Sequence, residues 1–315
     1  MHAIGVVFPG QGSQYVGMGR ELCGESATAR LVFEEARDVL EMDVAQICFE
    51  GPREALDLTV NTQACLLTVE TAIFRVLSER TGITPRAMAG HSLGEYSALV
   101  AAGALPFADA LKLVRARAAC QQGAVPPGEG CMAAIMGLDE ETVDRACREI
   151  SREGAVVELA NINCPGQFVI SGHTPAVEAA LVKLRDMGAK RSIRLPVSIP
   201  SHCSLMRPAA VEFEHYLEDV SFADCIVPVI PNCDPGRSHA QATSKDLLSR
   251  QIYSPVRWQE TVEAMAARGI DTIIEAGPKR VLCGLVTRIR DSIGTLNVED
   301  AGSLKKTAGT LGGGA

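Results

Sequence analysis

A serine stands between two glycines at Gly90-His91-Ser92-Leu93-Gly94, and this spacing is the clearest chemical signal in the chain. The apolar lead-in Ala87-Met88-Ala89 precedes it, and a helix-like run from Glu95 to Ala102 follows. A strand that turns sharply into a helix holds a serine in a strained backbone conformation with its hydroxyl exposed. Glycines two before and two after are needed, because a side chain at either place would collide with the turn. The helix start aims free N–H groups and the positive end of its dipole at the serine, which suits a developing oxyanion. Ser92 is the expected nucleophile.

A serine hydroxyl is weakly nucleophilic at neutral pH and needs a base within hydrogen-bond reach. The chain offers six histidines. His91 adjoins the serine, but its side chain is expected to point away from the exposed tip of the turn. His2 is terminal, His215 falls mid-helix, and His173 and His239 lie in polar loops expected to be solvated. His202 differs, because it follows a strand in Leu195-Pro196-Val197-Ser198-Ile199-Pro200-Ser201-His202, where a rigid loop can aim it into a cleft. No carboxylate stands out as a third member. Gln11, in a glycine-bracketed loop after the first strand, suits a second oxyanion donor, although an ordinary turn glutamine reads the same way. Arg115 and Arg117 interrupt an apolar helix, and whichever faces a cleft offers a planar fork for a carboxylate. A serine so equipped serves a hydrolase or a transferase alike.

Hydrophobic runs and glycine punctuation predict alternating strands and helices around these residues. Ile4 to Phe8 reads as a buried strand, residues 17–50 as helical with a break near Gly24, and Thr62 to Thr81 as a helix with Leu66, Val69, Ile73 and Leu77 on one side. Phe107 to Gln122 is a further helix. From Cys131 to Val197 the order becomes β-α-β-β-α-β, the ferredoxin-like pattern, in an insert of about 70 residues spanning 128–197. The main unit, 1–127, resumes at 198–302, with helices predicted at 204–218, 245–251 and 256–268 and strands at 227–231 and 272–275. The small, polar stretch 303–315 is expected to form a frayed, flexible tail.

The bulk numbers bound the partners. With 47% hydrophobic and 22% charged residues, the chain is of ordinary globular composition. No apolar run reaches the ~18 residues of a membrane span, and Met1-His2 leads straight into a strand-like stretch with no basic n-region and no cleavage site, so no secretory signal is expected. Eleven cysteines without a C-x-x-C pair fit reduced thiols, hence a cytoplasmic location, better than disulfides or a metal site. A net charge of −8 argues against nucleic acid as a partner.

Several motifs together resemble the malonyl-CoA:acyl carrier protein transacylases of bacterial fatty acid synthesis. They are Val7-Phe8-Pro9-Gly10-Gln11-Gly12-Ser13-Gln14, Gly90 to Glu95, Arg117, Asn161-x-Asn163, Pro200-Ser201-His202-Cys203, Gln251 to Trp258 and Glu275-x-Gly277-Pro278. The resemblance covers roughly residues 4–300. It implies an α/β-hydrolase-like large domain carrying the ferredoxin-like insert, an active site in the gorge between them, and no metal or cofactor. By resemblance Ser92 is the nucleophile, His202 its base, Gln11 and the Leu93 N–H the oxyanion donors, and Arg117 the partner of the malonyl carboxylate. Gln251 matches the position that orients the histidine, and Asn161 a further polar position. Gln121 departs from the pattern, since many relatives carry methionine four residues after the arginine, and it bears on the choice between malonyl and a branched extender such as methylmalonyl. The implied partners are malonyl-CoA and acyl carrier protein, with the chain acting as a monomer. Carrier proteins are acidic, so a chain of charge −8 needs local basic clusters to attract one. Lys190-Arg191 and Lys279-Arg280 are the candidates, both expected near the gorge mouth.

Overall fold

The computed structural model describes residues 2–197 and 199–312. Ser198, where the main unit is expected to resume, and residues 313–315 of the expected tail lie outside the described residues. Nine strands occur among the described residues: β1 (Ile4–Phe8), β2 (Ala87–Gly90), β3 (Gly130–Met136), β4 (Val157–Cys164), β5 (Gln167–His173), β6 (Arg191–Arg194), β7 (Val229–Ile230), β8 (Thr272–Ala276) and β9 (Gly294–Val298). Five of them form a parallel sheet in the order β7-β2-β1-β8-β9. A parallel sheet carries helices on both faces, so its strands must be apolar on both sides. In β1, Val6 and Phe8 join the core of Leu66, Val69 and Ile73, while Val7 joins Trp258, Val262 and Met265 on the opposite face. The helix Thr59–Thr81 buries Leu66, Val69, Ile73 and Leu77 as its periodicity predicts.

Residues from Gly130 to Arg194 build an antiparallel sheet ordered β4-β5-β3-β6. Helices Glu140–Ile150 and Thr174–Asp186 cover one face, where Val143, Ala146, Val177, Ala180 and Leu184 pack on Ala133, Ile135 and Ile170. The other face carries Met132, Ala160 and Val169, against which Leu195 and Val197 pack. Backbone hydrogen bonds join the two sheets' neighbourhoods: the Ile162 N–H donates to Val256 O (2.9 Å) and the Val256 N–H to Ala160 O (2.8 Å). Val256 therefore extends a strand, and the helix expected from 256 begins at Trp258.

The C-terminal stretch corrects the expected frayed tail. Ala301–Gly312 is a helix whose first turn is fixed by the Ser303 N–H donating to Asp300 Oδ1 (2.7 Å). Leu304 and Thr307 are buried, and Thr307 Oγ1–H donates to Asn297 O (2.9 Å), tying the helix to β9. Small residues here allow close helix–strand packing instead of fraying.

Candidate active site

Strand β2 ends at Gly90 and the helix Gly94–Ala101 begins four residues later, leaving Ser92 at the tip of the turn. Its φ is 53°, in the left-handed region, which costs a non-glycine residue on the order of 1–2 kcal/mol. A Cβ on Gly90 would lie 1.8 Å from the Gly94 carbonyl carbon, and one on Gly94 would lie 2.1 Å from Phe8 O. Both flanking glycines are thus dictated by close backbone approach. The loop after β1 presses on the same turn, because a Cβ on Gly10 would meet His91 O at 2.4 Å. Among the described residues, neither the Leu93 N–H nor the Gln11 N–H donates to a protein acceptor, and the Gln11 side chain is likewise unengaged. Gln11 and Leu93 both line the cavity beside Ser92.

His202 Nε2 lies 2.8 Å from Ser92 Oγ, and His202 Nδ1 lies 2.9 Å from the Gln251 carbonyl oxygen. A carbonyl only accepts, so Nδ1 carries the proton and Nε2 offers its lone pair to the serine hydroxyl. Burial, together with the nearby Arg117 charge, pushes the imidazole down to about 3. The histidine is therefore a neutral acceptor at physiological pH. Gln251 orients it through its main chain. Its side chain does other work: Nε2–H donates to Ser92 O (2.9 Å) and Oε1 accepts from Arg117 (3.1 Å).

Arg117 is 2% exposed, whereas Arg115 is half-buried at the helix edge. One terminal nitrogen donates to Gln63 Oε1 (2.9 Å) and Gln121 Oε1 (3.2 Å), the other to Ser92 Oγ (3.1 Å) and Gln251 Oε1 (3.1 Å). All four acceptors are neutral oxygens. Gln121 thus helps hold the guanidinium, and Gln63, whose Nε2–H donates to Gln121 Oε1 (3.1 Å), completes the cradle. Gln63 was open to detection as a polar residue three before Leu66 on a buried helical face.

The residues enclose a cavity of about 230 Å³, walled on one side by Met132, Val169, Leu195 and Val197 of the smaller sheet. Asn161, 8% exposed, lines it through a β-bulge, with Oδ1 unpartnered and Nδ2 3.4 Å from His91 Nε2. His91 turns from the Ser92 hydroxyl toward Asn163 Oδ1 (3.0 Å) and the Trp258 ring, while still lining the cavity. Lys279 Nζ–H donates to Gly12 O (3.0 Å), next to Gln11, and Arg280 follows it. Lys190 and Arg191 do not join them. They sit at the Met136 end of the β3–β6 pairing, four residues or about 13 Å along β3 from cavity-lining Met132. His239 is also not solvated: it is buried against Glu95 (2.9 Å), a pairing across 144 residues.

A parallel sheet, a serine at a strand-to-helix elbow, a histidine within hydrogen-bond reach of it and a buried arginine are the features of an acyl-transferring or acyl-hydrolysing enzyme. The family model for the acyl transferase domain matches residues 6–311, and the chain belongs to that family. It is 45% identical over 311 residues to the malonyl CoA-acyl carrier protein transacylase of Bacillus subtilis strain 168, covering 99% of this chain and 98% of that one. It is 47% identical over 287 residues to the protein of the same name from Escherichia coli K12, covering 91% and 93%. Among solved structures, the malonyl CoA-acyl carrier protein transacylase from Coxiella burnetii superposes with a TM-score of 0.95 at 42% identity, covering 98% of both chains. A malonyl-transacylase in complex with a type II polyketide acyl-carrier protein matches with the same TM-score at 44% identity, covering 98% of this chain and 99% of that one.

Proposed function

We propose that the chain transfers a malonyl group from malonyl-CoA to the pantetheine thiol of acyl carrier protein, through a malonyl ester on Ser92. One observation carries the specificity: a fully buried guanidinium, 3.1 Å from Ser92 Oγ, has only neutral hydrogen-bond acceptors among the described residues. A buried cation without a counter-ion is costly, so the site favours an acyl group that brings its own carboxylate. An acetyl group leaves that charge unpaired.

In the first half-reaction His202 Nε2 takes the proton of Ser92 Oγ–H as the oxygen attacks the thioester carbon. The oxyanion is held by the Leu93 N–H and Gln11. Collapse expels the coenzyme A thiolate, which recovers the proton from His202. In the second, the carrier-protein thiol gives its proton to His202 and attacks the ester. The ester carbon–oxygen bond then breaks and the proton returns to Ser92. Asn161 and Gln121 line the acyl pocket, and Gln121, by bonding Arg117, holds the guanidinium in place for the carboxylate.

We assign residues 1–127 and 198–302 to an α/β-hydrolase-like catalytic domain and 128–197 to a ferredoxin-like insert, a reading supported by the strand-helix-strand-strand-helix-strand order of the latter. The helix to Gly312 joins the catalytic domain. Lys279 and Arg280, at the cavity side, form the carrier-protein docking cluster, a reading supported by the Lys279 contact with Gly12, while Lys190 and Arg191 stand further along β3. The product serves fatty acid synthesis in the cytoplasm, a placement supported by eleven unpaired cysteines. Intact-protein mass spectrometry after exposure to a panel of acyl-CoA thioesters tests the specificity. A malonyl adduct is expected, with methylmalonyl and acetyl adducts forming more slowly; preferred acetylation would overturn the role given to Arg117.

A further inference from the structure

Beneath the nucleophile turn lies a polar network that the reaction steps do not use. The Ser92 N–H donates to Asn232 Oδ1 (2.6 Å), and Asn232 Nδ2–H donates to Gly90 O (2.6 Å). One amide side chain thus bridges the residue at the tip of the elbow and the last residue of β2. Asn232 is itself fixed, because its own N–H donates to Glu95 Oε2 (2.8 Å). The other oxygen of Glu95 accepts from His239 Nε2–H (2.9 Å), and His239 Nδ1 lies 3.1 Å from Ser244 Oγ. Asn232 and both side chains of the Glu95–His239 pair are fully inaccessible to water.

This arrangement matters because consecutive N–H groups at the elbow compete for one space. A serine at φ 53° could relax toward an ordinary backbone conformation, and its N–H would then swing. Tied to Asn232, that N–H stays on the protein side of the turn. The next one, on Leu93, is left without an acceptor among the described residues, and Leu93 lines the cavity. Burying a carboxylate such as Glu95 is tolerable only with full partnering, which the Asn232 N–H and His239 supply.

We infer that Asn232, locked by the buried Glu95–His239 pair, is a positioning residue for acyl transfer, holding Ser92 in its strained conformation and reserving the Leu93 N–H for the oxyanion. It touches neither substrate nor reacting atoms. The inference deepens the transferase reading and depends on Ser92 being the nucleophile.

The test compares Asn232→Ala, His239→Ala and His239→Gln with the wild type, using two acylation probes: malonyl-CoA in single turnover, and a small fluorophosphonate that reports serine reactivity independently of the malonyl group. Misplacing a reacting group by about 1 Å can cost about 10²-fold in rate. Asn232→Ala is therefore expected to slow both probes about 10²-fold, with KM for malonyl-CoA within twofold of wild type. His239→Ala, which leaves Glu95 short of a partner, should slow both at least tenfold, and His239→Gln, which restores a donor, should recover most of that loss. If Asn232→Ala does not fold, the His239 pair alone decides. Unchanged fluorophosphonate rates in the folded variants overturn the inference and leave the transferase reading standing. A wild type that reacts with fluorophosphonate but not malonyl-CoA overturns the transferase reading, and the phosphonate rates still decide the role of Asn232. A wild type unreactive to both overturns Ser92 as nucleophile and the inference with it.

Discussion

Replacing Arg117 by alanine removes a guanidinium that is 2% exposed and bonded to four neutral oxygens. Its bonds to a malonyl carboxylate are charge-assisted, at about 1.5–3 kcal/mol each, and a forked pair contributes about 3–6 kcal/mol. Binding the carboxylate displaces the bonds to Ser92 Oγ and Gln251 Oε1, each about 1 kcal/mol. The net loss is about 1–4 kcal/mol, so kcat/KM for malonyl-CoA should fall by about 5- to 10³-fold, since 1.4 kcal/mol is a factor of ten. Acetyl-CoA, which cannot pair with the guanidinium, should be used as well as before or better, so the malonyl-to-acetyl ratio collapses. Arg117→Lys restores charge but not the fork and should recover only part of the ratio. Acyl-enzyme formation followed by rapid quench and mass spectrometry, with both thioesters in competition, reads this directly. A ratio within threefold of wild type in both variants would refute the assignment.

His202→Ala should slow Ser92 acylation by about 10²–10⁴-fold, and a change under fivefold would name another base. Because burial and the Arg117 charge hold His202 down to about 3, from an ordinary 6.5, the acylation rate should stay flat from about pH 8 to pH 5; a fall centred near 6.5 would contradict that environment. The same group binds a proton in the unfolded chain below 6.5 and in the folded chain only near 3, so it makes stability fall as pH drops through that window. Denaturant midpoints at pH 7 and pH 5 check the direction, and a higher midpoint at pH 5 would contradict it. Reversing Lys279 and Arg280 to glutamate should raise KM for carrier protein, but not for malonyl-CoA, and flatten its salt dependence. The same reversal at Lys190 and Arg191 should do neither, and an equal effect at both pairs would return the distant cluster to the docking surface.

What the sequence made legible was local. Gly90 and Gly94 announce the elbow because backbone crowding there admits no side chain. His202 stands out because a strand delivers it to a loop. Gln251 was reachable only by resemblance, since its contact with His202 is a main-chain carbonyl that any residue supplies. The Glu95–His239 pair stayed hidden for a different reason: its members are 144 residues apart, and the polar loop around His239 reads as solvated until the fold buries it. Lys190 and Arg191 were placed by adjacency to the strand leading toward His202. Antiparallel pairing sends the start of that strand to the far end of β3.

Isolating the malonyl-enzyme and chasing it tests the central claim most directly. Wild-type protein, briefly exposed to malonyl-CoA and stripped of excess thioester, should carry one malonyl group on Ser92, and Ser92→Ala should carry none. Addition of the thiol-bearing carrier protein should empty the enzyme and load the carrier in equal amount, while buffer alone empties it slowly. An adduct of normal stoichiometry on Ser92→Ala, or loss of the malonyl group to water as fast as to carrier protein, would contradict the account.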